Sequence, residues 1–505
     1  MKRYLYLWHR WLGIALCLFM ALWFVSGMVM LYVGYPKLTP AEHLGRLPLL
    51  SQATCCVAPE QALAAAGREA PVQRLRLTSL GGVPHYLLVY GDGITLAVNA
   101  GNGRLIERVD AEAALASARQ FDAGAAARYL GSVQEDVWSH SRALDGDRPL
   151  HVVQLADGEE RRLYISSRTG AVVRDATASE RLWNWLGAWL HWLYPLRGGA
   201  LDCWWTDIVI YLSVAAIAVA VLGIAVGLLR WRFRRPYRSG SRSPYAGGFA
   251  RWHHLSGLLF GALLVAWIFS GLMSMRPWQL LQSRSELQAA DYQGGELRPD
   301  RFPVGPAQAL ARFRQSGIEV REMEWRRIAG QGYLVAYDVA GASRIWPMRD
   351  GAEPLVRLPD TELQLAAAAL LPGGAVSHEW LDGYDFHYYA RAEQSMYGYQ
   401  TRRLPILRTR FDDPVATWAH IDPYTGELIE LIDENRRLGR SLFNLLHSWD
   451  WLPLLERPRL REALIIAFSL GGLLISLSGV VLGWRRLRGK RRAPRRHVRS
   501  SAGVR

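Results

Sequence analysis

Five of the 13 histidines stand at the edges of long apolar stretches, where an imidazole has few polar neighbours. They are His9, His191, His253, His254 and His447. A neutral imidazole binds transition metals through either ring nitrogen, and ionisable groups in or near a membrane usually have a function. A histidine can also lie at the headgroup level without a ligand, as Trp and Tyr do. The elements that carry these five residues decide between the two interpretations.

Half of the 505 residues are apolar and 21 are Trp, a composition that favours a membrane protein. Four stretches of twenty or more residues carry no charge, and they cover 11–36, 208–229, 255–275 and 463–484. At 1.5 Å per residue, each can cross a hydrocarbon core of about 30 Å. The first stretch is too long for a signal peptide and lacks a small-x-small cleavage site, so we expect an uncleaved anchor.

Basic residues indicate the orientation of the spans. The segments 1–10, 230–251 and 485–505 hold 20 Lys and Arg and no Asp or Glu, and they account for the net charge of +15. By the positive-inside rule these segments and both termini are cytoplasmic, and the two long loops lie outside. The arginines therefore suit anionic lipid rather than nucleic acid. We predict a first span in 1–36, an outer domain in 37–205, a second span in 206–230, a basic loop in 231–251, a third span in 252–277, a second outer domain in 278–460, a fourth span in 461–484 and a basic tail in 485–505.

The chain contains one unit twice. The segment 8–13, which begins Trp-His-Arg, aligns with 252–257, which begins Trp-His-His, at an offset of 244. Leu190-His191 aligns with Leu446-His447 at an offset of 256. Both halves cross the membrane in the same sense, so this is a parallel repeat. We expect the four spans to form a four-helix bundle in which small residues allow close packing or room for a flat ligand.

The two outer loops are predicted to be α+β domains rather than linkers. Strand-like apolar runs end in a polar turn with a Gly that can take positive φ, followed by another strand, which is typical of a hairpin. Such phrases occupy 98–106, 165–173 and 421–429. Ala-rich helices are predicted at 59–67 and 306–317.

The four cysteines give no metal or redox motif, since no C-x-x-C is present. Cys55 and Cys56 are adjacent in the first outer loop. Disulfide geometry needs Cα atoms farther apart than a trans peptide allows, so we expect these two not to bridge each other.

The Ala-rich helices followed by hairpin strands, one of which carries Asp422-Pro423-Tyr424-Thr425-Gly426, resemble the PepSY module. Modules of this kind, alternating with spans that begin near Trp8-His9-Arg10 and Leu190-His191, resemble the PepSY-associated transmembrane family. The resemblance covers nearly the whole chain except the basic tail. It implies a protein of the bacterial inner membrane with periplasmic outer domains, linked to iron uptake. Some members of the family are di-haem reductases that release iron from siderophores.

Two repeat-equivalent histidines at each membrane surface could hold a haem. A bis-imidazole haem iron needs one His from each of two helices, small residues nearby and an apolar wall. Because two ligands of one iron lie at similar depth, His9 pairs with His253 and His191 pairs with His447. The resemblance implies the same four axial ligands and two haem b groups. His254 lies about 100° from His253 around the helix and keeps a secondary role.

The leading interpretation is an electron-transfer protein that reduces a periplasmic ferric chelate, such as a siderophore, and acts as a metal reductase. The sequence shows no flavin or nicotinamide fingerprint, so a separate donor, a quinol or a reductase, is needed. The alternative is a non-enzymatic anchored protein that binds a partner in iron uptake or envelope assembly. A proton-coupled transporter is disfavoured because the apolar stretches that would cross the membrane contain no Asp, Glu or Lys.

Two aromatic motifs in the outer loops are candidates for a docking rim beside the outer haem. They are 136–140, Asp-Val-Trp-Ser-His, and 385–389, Asp-Phe-His-Tyr-Tyr. Arg391, Arg402 and Arg403 follow the second motif and could attract an anionic chelate. The competing interpretation is that the motifs pack the sheet and the arginines are solvated.

Overall fold

The computed structural model describes residues 2–52, 55–298, 302–396 and 398–491, so the end of the predicted basic tail lies outside the described residues. The chain forms two compact units. The membrane unit comprises residues up to 29, 187–280 and 439 onwards, and the loop unit comprises 30–186 and 281–438.

Fourteen α-helices occur in the described residues. In chain order they are α1 Lys2–Met30, α2 Pro40–Arg46, α3 Pro59–Ala66, α4 Ala111–Phe121, α5 Ala178–Asn184, α6 Trp205–Arg230, α7 Gly248–Ser274, α8 Ala289–Gln293, α9 Pro306–Gln315, α10 Asp360–Ala368, α11 Glu434–Arg440, α12 Leu446–Ser448, α13 Leu452–Leu455 and α14 Pro458–Arg491. The helices α1, α6, α7 and α14 are long and apolar enough to cross a membrane. α6 and α14 extend beyond the predicted uncharged stretches at both ends, whereas α1 and α7 begin before theirs and end at residues 30 and 274, short of 36 and 275.

Glycines bring the long helices close together. A methyl group at Gly472 of α14 would lie 2.1 Å from the ring of Phe24 in α1, and one at Gly471 would lie 2.7 Å from the ring of Phe260 in α7. Between α6 and α7, a methyl group at Gly261 would lie 2.8 Å from Ile224. Small residues thus admit large side chains between helices, as is common where lipid gives no hydrophobic drive for helix association.

In its described residues, the loop unit contains three antiparallel sheets built from fourteen strands. The strands are β1 Val72–Leu80, β2 Val83–Tyr90, β3 Thr95–Asn99, β4 Ala127–Val133, β5 Leu150–Leu155, β6 Arg162–Ser166, β7 Val172–Ala176, β8 Glu322–Ile328, β9 Gln331–Tyr337, β10 Ser343–Pro347, β11 Val376–Leu381, β12 Ile406–Phe411, β13 Trp418–Asp422 and β14 Glu427–Ile432. The sheet orders are β10-β9-β8-β1-β2-β3, β4-β5-β6-β7 and β11-β12-β13-β14.

The predicted hairpins and Ala-rich helices are confirmed. Gly103, Gly170 and Gly426 take φ of 71°, 79° and 67° at the turns of the three phrases. The β6–β7 and β13–β14 turns join paired strands, while the first phrase closes with a single bridge between Val98 and Leu105. The helices α3 and α9 begin at the prolines that the sequence indicates.

The loop unit differs from the loop-by-loop division into two outer domains. Strand β1 of the first loop pairs with β8 of the second, with Leu75 opposite Trp325 and Leu77 opposite Met323. One six-stranded sheet therefore contains strands from both loops. Local sequence patterns do not report such a pairing, because the partners lie about 250 residues apart.

The expectation that Cys55 and Cys56 do not bridge is wrong. The structure joins them in a disulfide across a cis peptide bond. The Cα atoms of the two residues are 3.2 Å apart, so a separation shorter than the usual disulfide range does not exclude the bridge, as the expectation assumed.

Two buried glutamates of β8 carry charge at the seam between the loops. Glu322 accepts from Arg76 at 3.3 Å and lies 3.1 Å from the Nε2 atom of His43. Glu324 lies 3.0 Å from Arg326 and 3.3 Å from Arg74. Burial by itself would raise the pKa of Glu324, but the nearby guanidinium groups outweigh burial and lower the pKa to about 2. The seam is therefore stabilised by ionised carboxylates.

We expect the loop unit to lose stability in acid. Because the folded-state pKa of Glu324 is depressed, its contribution is complete above the ordinary value of 4.5 and disappears as the pH falls towards about 2. The shift corresponds to roughly 3 kcal/mol. Glu324→Gln should lower stability at neutral pH and flatten its dependence on pH in this window. The measurement is thermal unfolding of the detergent-solubilised chain, followed by circular dichroism of the β-structure.

The matched control is Glu319→Gln, because Glu319 is exposed nearby in the sequence. It should leave the acid profile unchanged. Equal acid sensitivity in the wild type and in Glu324→Gln would contradict the role of the seam.

Candidate functional site: two histidine pairs

The membrane unit brings four of the five candidate histidines together as two pairs. His9 of α1 and His253 of α7 have ring centroids 6.1 Å apart, with an angle of 35° between the rings. His191, in the segment between α5 and α6, and His447 of α12 have centroids 6.2 Å apart at 71°. These pairs combine the histidines that sequence reasoning assigned to each other by depth.

The spacing within each pair suits one metal ion between two imidazoles. A metal–nitrogen bond of about 2 Å on each side, plus the distance from Nε2 to the ring centre, gives centroids roughly 6 Å apart. No group of three or more His, Cys, Asp or Glu side chains gathers in metal-binding geometry within the described residues. A pair of axial ligands is what a porphyrin iron requires, because the porphyrin supplies the other four nitrogens.

Hydrogen bonds at Nδ1 leave Nε2 of each ring available. His9 Nδ1 lies 3.1 Å from the carbonyl oxygen of Val219 in α6, and His253 Nδ1 lies 3.0 Å from that of Ile475 in α14. A carbonyl oxygen can only accept, so Nδ1 carries the proton in both rings. The lone pair is then on Nε2, which is the arrangement found in histidines that bind metals.

Serines do the same for the other pair. Ser26 lies 3.0 Å from His191 Nδ1, and Ser270 lies 3.1 Å from His447 Nδ1. Both hydroxyls donate their one proton to carbonyl oxygens of their own helices, so each accepts from the imidazole. Ser26 and Ser270 are equivalent at the repeat offset of 244, but their residue type alone gave no sign of this role.

Glycines lie against the imidazoles, and one of them is needed for space. A methyl group at Gly223 would lie 2.7 Å from Cε1 of His9. The corresponding distances of 3.5 Å from Gly27 to His191 and 3.4 Å from Gly271 to His447 are ordinary van der Waals contacts. A side chain at Gly223 would collide with the ring, so the backbone of α6 approaches His9 as closely as it can.

The chain carries His191 and His447 in the same unusual backbone. A π-helical turn, Trp185–Trp189 in the first half and Ser441–Leu445 in the second, ends two residues before each His. Two residues after each His, Leu193 and Trp449 take left-handed φ of 54° and 53°. Such conformations are costly for residues with a side chain and often occur at functional sites. Both halves therefore use strained backbone to aim the imidazole.

His254 is not arranged as a ligand. Its Nδ1 lies 2.8 Å from Ser243 Oγ, and its Nε2 lies 3.0 Å from the carbonyl oxygen of Gly227. Both ring nitrogens are therefore engaged in holding α6 and the loop after it against α7. Of the doublet, it is His253 that lies beside His9, as the repeat predicts.

Trp267 leaves a buried donor without a partner beside the second pair. Its carbonyl oxygen is 3.2 Å from His447 Nδ1, while its indole Nε1 has no hydrogen-bond partner. The repeat-equivalent Trp23 donates from Nε1 to the carbonyl oxygen of His191 at 3.0 Å. A buried N–H without an acceptor is costly, so this site suits a bound group that offers an acceptor. Together with the spacing, the tautomers and the glycines, this makes the residues fit a haem.

Apolar and aromatic side chains fill the space between the two pairs. Seventeen residues separate His9 from Ser26 on α1, and the same number separate His253 from Ser270 on α7, which is about 26 Å along each helix. The ring centroids of Phe24 and Trp267 are 5.9 Å apart, and those of Phe260 and Phe468 are 6.2 Å apart. The only charged residue on these two helix segments is Arg10, next to His9. The layer between the pairs is therefore apolar.

The aromatic motifs of the outer loops are engaged in the loop unit. Asp136 accepts from the hydroxyl of Tyr164 at 2.7 Å. Asp385 accepts two hydrogen bonds, at 2.6 and 3.0 Å, from Arg408, which is 2% exposed. These contacts favour the interpretation that the motifs pack the sheets.

The arginines that follow the second motif are also engaged. Arg402 forms a two-pronged ion pair with Glu430 at 2.9 and 3.1 Å. Arg403 donates to Ser343 and to the carbonyl oxygen of Gly341. We therefore assign neither arginine to a chelate.

Comparison with known families agrees with the architecture. The family model described as the PepSY-associated TM region matches residues 6–399, which include α1, α6 and α7 and three of the four paired histidines. His447 and α14 follow the matched range. No curated protein matches the sequence. With four apolar helices and this match over most of its length, the chain is a multi-pass membrane protein and belongs to the PepSY-associated transmembrane family.

Proposed function

We propose that the protein is a di-haem electron carrier of the bacterial inner membrane that reduces a ferric chelate, such as a siderophore, in the periplasm. The observation that carries the proposal is the pair of histidine pairs, each about 6 Å between ring centroids and each with Nε2 free to bind. His9 with His253, and His191 with His447, would be the axial ligands of two haem b groups. When bound, haem supplies reversible one-electron exchange between Fe(III) and Fe(II).

The chain's own residues would set the conditions at both sites. The acceptors at Nδ1 hold each imidazole in one tautomer and raise its strength as a ligand. The glycines allow close helix packing around the rings, and Trp267 offers an indole donor at the His191–His447 site. The aromatic layer between the sites excludes water. These features support a four-helix bundle that carries electrons and not ions.

The direction of transfer follows from the charge distribution. The basic segments favour a cytoplasmic location for both termini, which puts the His9–His253 pair near the cytoplasmic surface. The His191–His447 pair, reached from the two long loops, would then lie near the periplasmic surface. One electron from a quinol or a reductase would reach Fe(III) in the chelate and convert it to Fe(II). Siderophores hold hard Fe(III) more tightly than Fe(II), so the metal is released.

Detergent-purified protein from haem-replete cells should show the split α and β bands of bis-histidine haem b after reduction with dithionite. Each of His9→Ala, His191→Ala, His253→Ala and His447→Ala should lose about half of the haem, because each removes one ligand of one site. Pyridine haemochrome analysis measures the content. A featureless spectrum of the wild type would reject the proposal and favour the alternative, a non-enzymatic membrane-anchored binding protein.

His254→Gln is the matched control at the histidine doublet. Since both nitrogens of His254 are used in hydrogen bonds to Ser243 and Gly227, the variant should keep both haems with unchanged spectra. Some loss of thermal stability, about 1 kcal/mol for each buried hydrogen bond, is expected. Loss of haem from His254→Gln but not from His253→Ala would overturn the assignment.

A further inference from the structure

The turns that carry His191 and His447 are held by different residues at the same repeat position. In the first half, Trp205 at the start of α6 donates from Nε1 to the carbonyl oxygen of Trp192 at 2.8 Å. In the second half, Arg461 near the start of α14 donates from two nitrogens to the carbonyl oxygen of Ser448 at 2.9 and 2.7 Å. In both halves this oxygen belongs to the residue directly after the histidine.

The repeat makes the equivalence strict. Trp205 and Arg461 are separated by 256 residues, as are Trp192 and Ser448, and His191 and His447. An indole in one half and a guanidinium in the other thus make the same contact. The two donors are chemically different, but both bind the same backbone oxygen of the turn. The contact therefore serves the backbone of the turn and not one kind of side chain.

The turn needs this hydrogen bond because of the residue that follows the carbonyl group. Leu193 and Trp449 are left-handed, and a residue with a Cβ leaves that region unless neighbouring contacts hold it. The bonds from Trp205 and Arg461 fix the peptide group immediately before the left-handed residue. If they are lost, the turn can relax and the imidazole one residue earlier changes direction.

The second half also neutralises the charge that it introduces. Asp450 is 2% exposed and lies 3.7 Å from Arg461, which is itself buried. A buried guanidinium without a carboxylate is costly, so the pair allows Arg461 to act beside an apolar site. The first half needs no such partner because indole is neutral.

We infer that Trp205 and Arg461 are positioning residues that hold the ligand imidazoles of His191 and His447 in line with a shared metal. That His191 and His447 are haem ligands rests on the proposed function. That Trp205 and Arg461 hold the backbone of the two turns rests on the geometry alone. Neither residue touches the imidazole, and each acts through the backbone of the turn.

The test compares Arg461→Met with wild-type protein by two measurements. In Arg461→Met, hydrogen exchange of the peptides covering 441–450 should become faster by about tenfold or more, as expected when a charged hydrogen bond that holds a backbone segment is lost. The spectrum should show about half of the haem moving from the low-spin to the high-spin form, with total haem nearly retained. Arg461→Lys should restore part of both signals.

Trp205→Phe extends the test to the first half, since it keeps an aromatic ring and removes the Nε1 donor together with part of the indole. It should loosen the peptides covering 185–194 and affect the spin state of the same single haem. Arg459→Met and Trp204→Phe are the matched controls, because both residues are exposed and lie close in the sequence to Arg461 and Trp205. Both variants should show the hydrogen exchange and spin state of the wild type.

The outcomes separate the two proposals. If the wild-type protein holds no haem, the proposed function is overturned, and with it the role of Trp205 and Arg461 in positioning haem ligands. The other outcome is that the wild type holds two haems and that both Arg461→Met and Trp205→Phe keep the hydrogen exchange and the spin state of the wild type. This would overturn the positioning role of the two residues and leave the proposed function intact. If Arg461→Met fails to accumulate, Arg461→Lys and Trp205→Phe decide the inference by the same measurements.

Discussion

The hydrogen bond at Nδ1 of each paired histidine is the interaction on which the rest of the membrane unit depends. In an apolar interior an imidazole N–H must find an acceptor, and the choice of acceptor fixes both the tautomer and the direction of Nε2. Backbone carbonyl oxygens serve His9 and His253, and hydroxyls of Ser26 and Ser270 serve the other two. Helix packing, glycine positions and strained turns can all be understood as means of bringing these acceptors to the rings.

Duplication of the unit explains why all four paired histidines have a hydrogen-bond acceptor at Nδ1, although the acceptors differ. Val219 and Ile475 are repeat-equivalent and offer the same carbonyl, but only the second half adds a hydroxyl, that of Ser478, at 3.0 Å from His253. The two halves share a backbone design and have diverged in side chains. Divergence at equivalent positions gives the two imidazoles of one pair unequal environments.

The sequence revealed the parts of this structure that are local or periodic. Spans follow from apolar length, hairpins from turn residues, and the histidine pairs from the repeat. It could not reveal the pairing of β1 with β8, which joins segments far apart in the chain. Nor did it indicate the π-turns before His191 and His447, because no residue type specifies that geometry. For the doublet His253-His254 the repeat already aligns His253 with His9, and the hydrogen bonds to both nitrogens of His254 agree with that choice.

The layer between the two pairs limits what the membrane unit can carry. Ions and protons cross a membrane along polar groups or water, and α7 offers no charged residue between His253 and Ser270. Phe24 and Phe260 instead fill the middle and press against Gly472 and Gly471, which leaves little room for water. An electron needs no polar path, only carriers on either side of a thin apolar barrier. An apolar aromatic layer with a histidine pair at each end therefore suits the proposed electron transfer and disfavours transport of ions.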